Sequence, residues 1–384
     1  MKPCKQPYCI FLIASVIILA GPLKVSAQSL DFNGQAISWA TLNPAEPFQA
    51  QGGLRYIPKL SFSLPAGNFS LDGEFSANLW GSGTLYARDS TVFDEQLSPY
   101  RMWIRFSGDQ FELRAGLQKI NFGSAVMFRP LMWFDRIDPR DPLQLTDGVY
   151  GVLGRYYFLN NINIWAWALY GEGKTKGWEL FPTLNRSIEY GGRLQVPLPT
   201  GEIAASYHHR TADPSGVIPD SISEGHSSPE NRLALDTKFD LLVGLWFEAA
   251  LIHQDLDFTP MQYKSLLNAG MDYTFNVGNG INLMTETFGY LQGEKLLGAN
   301  EKVFFGLLSA TYPINIIHNL SAMLFYDFSN NEIYRFINWG ITYDRWSFYV
   351  MGFWNPDTYN LYNLDYQMDL YSGWGFQLMA VFNH

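Results

Sequence analysis

The sequence predicts an all-β protein, a transmembrane antiparallel β-barrel of about 18 strands. Three observations predict it: apolar and polar residues alternate along most of the chain, short and long connections alternate between the resulting strands, and charged residues are scarce. Charged residues make up 16% of the chain, against about 25% in an average soluble protein. Aromatic residues also make up 16%. These shares indicate that much of the surface does not face water.

Period-two alternation is clearest from Gln262 to Val277. One face of this strand carries mainly apolar residues: Tyr263, Leu267, Ala269, Met271, Tyr273, Phe275 and Val277. The other face carries Lys264, Asn268, Asp272, Thr274 and Asn276, and the exceptions are Ser265 and Leu266. No comparable window sustains the three- and four-residue spacing of a helix. An antiparallel strand with one apolar and one polar face is therefore expected here.

The connections between strands predict the strand number. Tight turns are expected at Pro65–Asn68, Gly108–Gln110, Leu159–Asn161, Pro199–Gly201, Asp240–Gly244, Gly278–Gly280, Ile314–Asn319 and Asp344–Arg345. Longer polar loops are expected at Ala87–Leu97, Gly123–Asp147, Gly173–Arg186, Ala212–Glu230, Leu256–Pro260, Gln292–Glu301, Asn330–Glu332 and Asp357–Tyr371. Eight hairpins with Gly373–Phe382 and Leu30–Leu42 give eighteen strands, with short periplasmic turns and long outer loops. Sixteen is the alternative if Leu30–Leu42 is internal and Asn161–Glu172 is not a strand.

The first 27 residues have the features of a secretory signal peptide. Lys2 and Lys5 precede an apolar run, and a small-residue site ends at Ala27, where we expect cleavage. The single barrel domain would then comprise residues 28–384. An uncleaved anchor is the alternative. Both cysteines, Cys4 and Cys9, lie in the segment to be removed, which excludes thiolate metal sites and cysteine nucleophiles from the mature chain.

The loop Gly123–Asp147 is too long and too apolar for a solvated tip. It has about 25 residues, a length at which a structureless loop is usually functional. We expect it to fold into the barrel mouth as a constriction loop, with its apolar residues against the wall. Its charged residues would then face the channel: Arg129, Asp135, Arg136, Asp138, Arg140 and Asp141. A surface cap or a subunit contact is the alternative, because exposed apolar patches often mark interfaces.

Charged residues on the polar faces of the strands predict a charged lumen. The pore-lining basic residues fall on early strands: Arg101, Arg105, Arg114, Arg155 and Arg193. The pore-lining acidic residues fall on later strands: Asp236, Glu248, Asp272 and Glu286. In a closed barrel these two groups would occupy opposite sectors and set up a transverse field. The alternative is that they only solvate a lumen, since polar interiors are general in such barrels.

Two features carry a resemblance to known proteins. The last strand places Trp374, Phe376, Leu378, Ala380 and Phe382 on one face, and it resembles the C-terminal strand that the barrel assembly machinery reads in bacterial outer-membrane proteins. The segments "AGLQKINFG" and "WFDRIDPRDPLQLTDG" resemble porin-like outer-membrane proteins of the Bacteroidota and the related alginate-export and phosphate-selective porin families. The resemblance implies an outer-membrane location, contact with its lipid and passive transport, and trimers are common in this class.

The sequence therefore predicts a porin for small hydrophilic solutes or ions, located in the bacterial outer membrane. The alternative is a non-conducting barrel that binds partners or adheres through its long loops. No enzyme is predicted, because His208 and His209 are adjacent on a strand and no serine-centred motif accompanies them. The aspartates of the long loop do not match a calcium-binding loop, so we expect no metal and no cofactor. An acidic exported chain, with a net charge of −10 before processing, is a poor nucleic-acid binder.

Overall fold

The chain forms an 18-stranded antiparallel sheet that closes on itself, in a computed structural model that describes residues 29–87, 90–218, 227–357 and 368–384. The predicted signal peptide lies outside the described residues. The strands are β1 (Ser29–Asn43), β2 (Gln49–Ala66), β3 (Phe69–Tyr86), β4 (Ser90–Ser107), β5 (Phe111–Gln118), β6 (Val149–Tyr157), β7 (Asn163–Tyr170), β8 (Ile188–Leu198), β9 (Gly201–Ala212), β10 (Ser228–Asp240), β11 (Gly244–Gln254), β12 (Tyr263–Phe275), β13 (Ile281–Gly293), β14 (Glu301–Pro313), β15 (His318–Asp327), β16 (Glu332–Thr342), β17 (Trp346–Trp354) and β18 (Trp374–Asn383). A short 3-10 helix, Met368–Tyr371, precedes β18.

Closure is made by β1, which pairs with β2 on one side and with β18 on the other. The register of the closing seam runs from Gln35 opposite Asn383 to Leu42 opposite Phe376. Every other strand pairs with its neighbours in the chain. A closed sheet leaves no open edge along this seam, which is the condition for a β-structure to cross lipid.

The predicted strand number of eighteen is confirmed, and all eight tight turns lie where the sequence placed them. They lie at one end of the barrel, which we call the turn end; the opposite end is the loop end. The structure differs at the predicted loop Ala87–Leu97, because β4 already begins at Ser90. Its first residues pair one by one with β3, from Ser90 opposite Tyr86 to Leu97 opposite Leu79. The loop was predicted from the polar composition of this stretch, but the stretch forms a strand.

The outer face of the barrel is apolar and the inner face is mixed. Leu308, Leu324 and Ile337 lie on neighbouring strands at outward positions, and their side chains are exposed. Trp374, Phe376 and Leu378 of β18 are exposed in the same way, as the alternation predicts. Such a surface is stable against lipid and unfavourable in water. Among the described residues, no helix is both long and apolar enough to cross a bilayer.

An apolar core lies inside the barrel rather than between two layers. Leu266, an exception to the predicted pattern of β12, faces inward and is fully buried in this core. Leu266 can face inward because the long connection between β5 and β6 fills the lumen beside it. These two strands have only 8 and 9 residues, against 18 in each of β2, β3 and β4, so the wall is low where that connection turns inward.

Candidate functional site

The connection between β5 and β6, residues 119–148, is folded into the lumen, and we call it the inner loop. Its apolar residues are buried together with inward-facing residues of the wall: Phe122, Phe128, Leu131, Trp133 and Phe134. Phe128 has no exposed surface. The ring of Phe128 lies 5.4 Å from that of Phe288, 5.8 Å from that of Phe305 and 5.7 Å from that of Phe325. Three consecutive strands of the far wall, β13 to β15, thus hold one side chain of the loop.

Glu286 on β13 binds the backbone of the same segment. Its carboxylate accepts hydrogen bonds from the backbone N–H groups of Val126 at 2.7 Å, Met127 at 3.1 Å and Phe128 at 2.7 Å. The indole N–H of Trp246 donates a further bond at 3.1 Å. Hydrogen bonds to a charged acceptor are roughly twice as strong as neutral ones, and buried N–H groups need such partners. Glu286 therefore anchors the inner loop to the wall.

Glu248 on β11 provides a second anchor. Its carboxylate accepts a hydrogen bond from the backbone N–H of Ala125 at 2.7 Å and another from that of Leu131 at 3.4 Å. Gly123 lies against the same carboxylate. Its backbone φ is 104°, a value that residues with a side chain rarely adopt. A Cβ atom at this position would lie 2.3 Å from Oε1 of Glu248. The loop can approach Glu248 this closely because residue 123 is glycine.

We expect Gly123→Ala to lower the thermal stability of the folded barrel and to loosen the inner loop, at a cost of roughly 1–3 kcal/mol. Backbone strain and the clash with Glu248 both contribute to this cost. The matched control is Gly280→Ala, which has a similar φ of 97° and whose added Cβ would meet only the methyl carbon of Thr274, at 3.3 Å. Thermal unfolding followed by circular dichroism measures the difference. Equal losses in the two variants would show that the contact with Glu248 contributes nothing.

We expected the charged residues of the inner loop to face the channel, but those in its first half are largely shielded from water. Arg129 and Asp135 are buried and form an ion pair at 3.2 Å. Arg129 also donates a hydrogen bond to the side chain of Asn121, and its carbonyl accepts one from the indole N–H of Trp178 at 2.8 Å. A buried charge needs such partners, so this pair fixes the shape of the loop rather than lining a channel. Arg136 is half-buried, and its guanidinium donates to Oγ1 of Thr175 at 3.3 Å.

The predicted basic and acidic residues do not form two separate facing walls. Arg193 on β8 makes two hydrogen bonds to Asp236 on β10, at 2.5 Å and 2.8 Å, and both side chains are buried. Both strands pair with β9 and so lie only two apart, and a residue from each predicted group therefore meets its opposite directly. Asp272 is half-buried near the turn end, where it accepts a bond of 3.4 Å from Asn282. The expectation of opposite sectors is therefore corrected for Arg193 and Asp236.

The remaining predicted arginines are paired with neighbours that the sequence did not single out. Arg105 bonds to Asp72 at 3.0 Å. Arg114 and Arg155 share Glu112, at 2.8 Å and 3.7 Å. Arg101 donates to the backbone carbonyl of Thr146 at 2.8 Å and so holds the end of the inner loop that returns to β6. Inward alternation gave the positions of these arginines, whereas their partners depend on the register between strands.

A second connection also enters the lumen, which the sequence did not predict. Residues 171–187 between β7 and β8, the second loop, place Lys176 2.5 Å from Glu189 of β8. Glu179 of this loop lies 2.7 Å from Arg232 and 3.3 Å from Arg210, and Arg210 lies 2.7 Å from Glu230. All four of these charged side chains are almost fully buried. The lumen beside β8 to β12 is therefore filled by paired charges.

Histidines lie in this region without forming a catalytic arrangement. His208 faces inward, where its Nδ1 accepts a hydrogen bond from the indole N–H of Trp167 at 3.1 Å and its Nε2 lies 3.1 Å from Glu189. His209 points to the other face and contacts Asn231. Within the described ranges, no group of three or more His, Cys, Asp or Glu side chains is placed to hold a metal ion. The prediction that the chain is not an enzyme stays a prediction.

A polar cavity of 220 Å³ remains between the second half of the inner loop and the wall formed by β18 and β1 to β3. We call it the side cavity. Its charged and aromatic lining residues are Trp39, Arg55, Trp80, Asp138, Arg140, Asp141 and Tyr371. Asp138 and Arg140 form an ion pair at 2.6 Å. Burial raises the pKa of the Asp141 carboxyl, and the hydrogen bonds that it accepts from the backbone N–H groups of Leu143 and Leu145 offset only part of this effect.

A closed 18-stranded wall with a loop bound inside it defines a porin-like β-barrel. Solved structures of outer-membrane proteins share this fold. OccAB4 of Acinetobacter baumannii matches 95% of this chain over 100% of its own, with a TM-score of 0.53 and 8% identity. The outer membrane channel DcaP of the same organism matches 93% of this chain over 98% of its own, with a TM-score of 0.51 and 11% identity. OmpT, an outer membrane protein of Vibrio cholerae solved in a trimer form, matches 94% over 100%, with a TM-score of 0.52 and 12% identity. The sequence itself matches no family model and no curated protein.

Proposed function

We propose that the protein is an outer-membrane channel through which small hydrophilic solutes or ions diffuse passively, and that the inner loop forms its constriction. One observation carries the proposal: a barrel with an apolar outside holds the inner loop inside its lumen and still keeps a polar cavity of 220 Å³ beside it. An inner face of charged and hydrogen-bonding groups favours water over apolar molecules.

Charge in the proposed channel is distributed as local pairs rather than as one strong field. Four of the five arginines of β4 to β8 lie beside Asp72, Glu112 or Asp236 within the same wall, with Glu112 shared between Arg114 and Arg155. A wall of paired charges offers donors and acceptors to a polar solute without attracting one sign of ion strongly. We therefore expect a weak ion preference.

Export and assembly follow from the same proposal. Cleavage after Ala27 would release the chain into the periplasm, and the assembly machinery would read β18, which ends close to Phe382. Contact with outer-membrane lipid would occur along the apolar outer face. The resemblance to porin-like proteins of the Bacteroidota remains part of the proposal, supported by the segments "AGLQKINFG" and "WFDRIDPRDPLQLTDG". A homo-oligomer is also part of the proposal, supported by the similar fold of OmpT, which was solved in a trimer form.

Reconstitution of the purified mature chain tests the proposal. In planar bilayers we expect discrete current steps in potassium chloride, and in liposomes we expect swelling with small sugars. The control is the same preparation after heat unfolding, which should give neither signal. A folded protein that gives no current and no swelling would favour the other function class, a barrel that binds partners through its loops without conducting.

A further inference from the structure

We propose that the side cavity is a binding site for a neutral sugar ring. The inference rests on the proposed function in one respect: it takes the side cavity to lie on the path of the solute. It concerns three wall residues that sequence reasoning had not singled out, Trp39, Arg55 and Trp80.

Arg55 is the distinctive charge of the cavity. Of the described arginines that the sheet turns into the lumen, it alone has neither an ion pair nor a hydrogen bond to another described residue. Its guanidinium carbon lies 5.8 Å from the ring of Trp39 on one side and 5.8 Å from that of Trp80 on the other. Aromatic faces attract a guanidinium without consuming its N–H groups. The Nε of Arg55 is buried, so the N–H groups of its two terminal nitrogens are the ones that remain for a solute.

The two tryptophan rings are held in place from behind. The indole N–H of Trp39 donates to Gln51 at 3.0 Å, and Gln51 donates in turn to Thr84 at 3.0 Å. The indole N–H of Trp80 donates to Gln96 at 3.0 Å. With their polar atoms satisfied, both indole rings line the cavity as apolar groups.

Glycine makes room for one of these rings. Gly53 lies opposite Trp39 across the β1–β2 pair, and a Cβ atom there would lie 2.1 Å from the Trp39 ring. The ring can lie flat over the strand only because position 53 has no side chain.

The opposite side of the cavity carries acceptors. Asp138 keeps 36% of its side chain exposed although it is paired with Arg140, so part of its carboxylate can still accept hydrogen bonds. Asp141 lines the same side. Two guanidinium groups and two carboxyl groups thus line the cavity, and their formal charges sum to zero. A site with no net formal charge gives little preference to an ion over a neutral solute.

Donors on one wall, acceptors on the other and aromatic faces beside them fit a sugar ring. The hydroxyl groups of a sugar both donate and accept, and its C–H faces pack on an indole. The volume of 220 Å³ is below the roughly 300–1,000 Å³ of pockets for drug-sized ligands, which favours a single ring. An open-chain polyol offers the same hydroxyl groups but no rigid face.

Saturation-transfer NMR on the full mature chain in detergent tests this site directly. The probes are D-glucose and sorbitol, the open-chain alcohol with the same number of carbons. We expect transfer to the ring protons of glucose and little to sorbitol. Trp80→Ala is expected to weaken glucose binding about tenfold, which corresponds to about 1.4 kcal/mol. Arg55→Met should weaken it similarly.

Matched variants separate the site from the fold. Trp374→Ala removes an outward tryptophan that is 56% exposed, and it should bind glucose like the unchanged protein. Trp39→Phe keeps an aromatic face and guards against a variant that fails to fold. Equal transfer to glucose and sorbitol, equal binding by the Trp80 and Trp374 variants, or tighter binding of glucuronate than of glucose would each overturn the proposal.

A failure of the sugar-site proposal can be distinguished from a failure of the channel proposal. Current steps without glucose binding would refute the sugar site but support the channel. Glucose binding that depends on Trp80, in a protein that passes no current, would keep the site and remove the channel.

Discussion

Replacing residues 123–147 by a short glycine–serine linker is expected to raise the single-channel conductance several-fold. The inner loop fills the lumen from β7 to β15, and a barrel of this strand number encloses a water-filled channel once its contents are removed. Conductance in planar bilayers measures the change. Liposome swelling with a size series of sugars should show a higher size limit as well.

The control for this replacement is a deletion that leaves the lumen unchanged. Residues 294–300, between β13 and β14, form an almost entirely exposed connection at the loop end. Shortening them should leave the current as it is. A loop replacement that folds, as judged by its β-type circular dichroism, and yet conducts like the unchanged protein would refute the constriction.

Glu286→Leu is expected to have the second largest effect. The change removes the acceptor of three consecutive backbone N–H groups and of the Trp246 indole. The hydrogen bonds from Phe128 and Trp246 are buried, and each buried donor left without a partner costs roughly 1–3 kcal/mol, so we expect a loss of at least about 2 kcal/mol in the free energy that holds the loop. The current should become larger and noisier as the loop leaves the wall.

Two further variants calibrate this result. Glu286→Gln keeps one carbonyl acceptor and should fall between the leucine variant and the unchanged protein. Glu294→Leu removes an exposed glutamate from a loop-end connection and should change neither stability nor current. If Glu286→Leu unfolds at the same temperature as the unchanged protein and gives the same current noise, Glu286 does not hold the inner loop in place.

Much of the fold could be predicted because the alternation is a local property. The alternation along each strand distinguishes its two faces. Glycine, proline, asparagine and aspartate mark the turns, so all eight tight turns were placed from the sequence. The stretch after Ala87 failed for a local reason too. Thr91 and Val92 favour strands, but the polar and acidic residues that follow them resemble a loop, and only pairing with β3 decides the outcome.

The site could be predicted in part. Parity along a strand gives the inward position of Arg193 and Asp236, but their contact depends on the register of β8 and β10 against β9. Glu286 was singled out as lining the lumen, whereas its partners are backbone groups 160 residues away, at Val126, which no sequence pattern displays. Arg55 was overlooked although it lies on the alternating face of β2. The lack of an ion pair or hydrogen bond to a described residue, which makes it distinctive, is visible only in three dimensions.

The β1–β18 seam has a consequence for folding. At this seam a side-chain hydrogen bond joins Gln35 and Asn383, which are 348 positions apart. The barrel therefore cannot close until β18 has formed and paired with β1. Until then, two strand edges stay unpaired and are liable to aggregate. Contacts of such high contact order form slowly. The unclosed chain therefore needs protection in transit, and pairing of the ten residues of β18 with β1 determines when that protection can end.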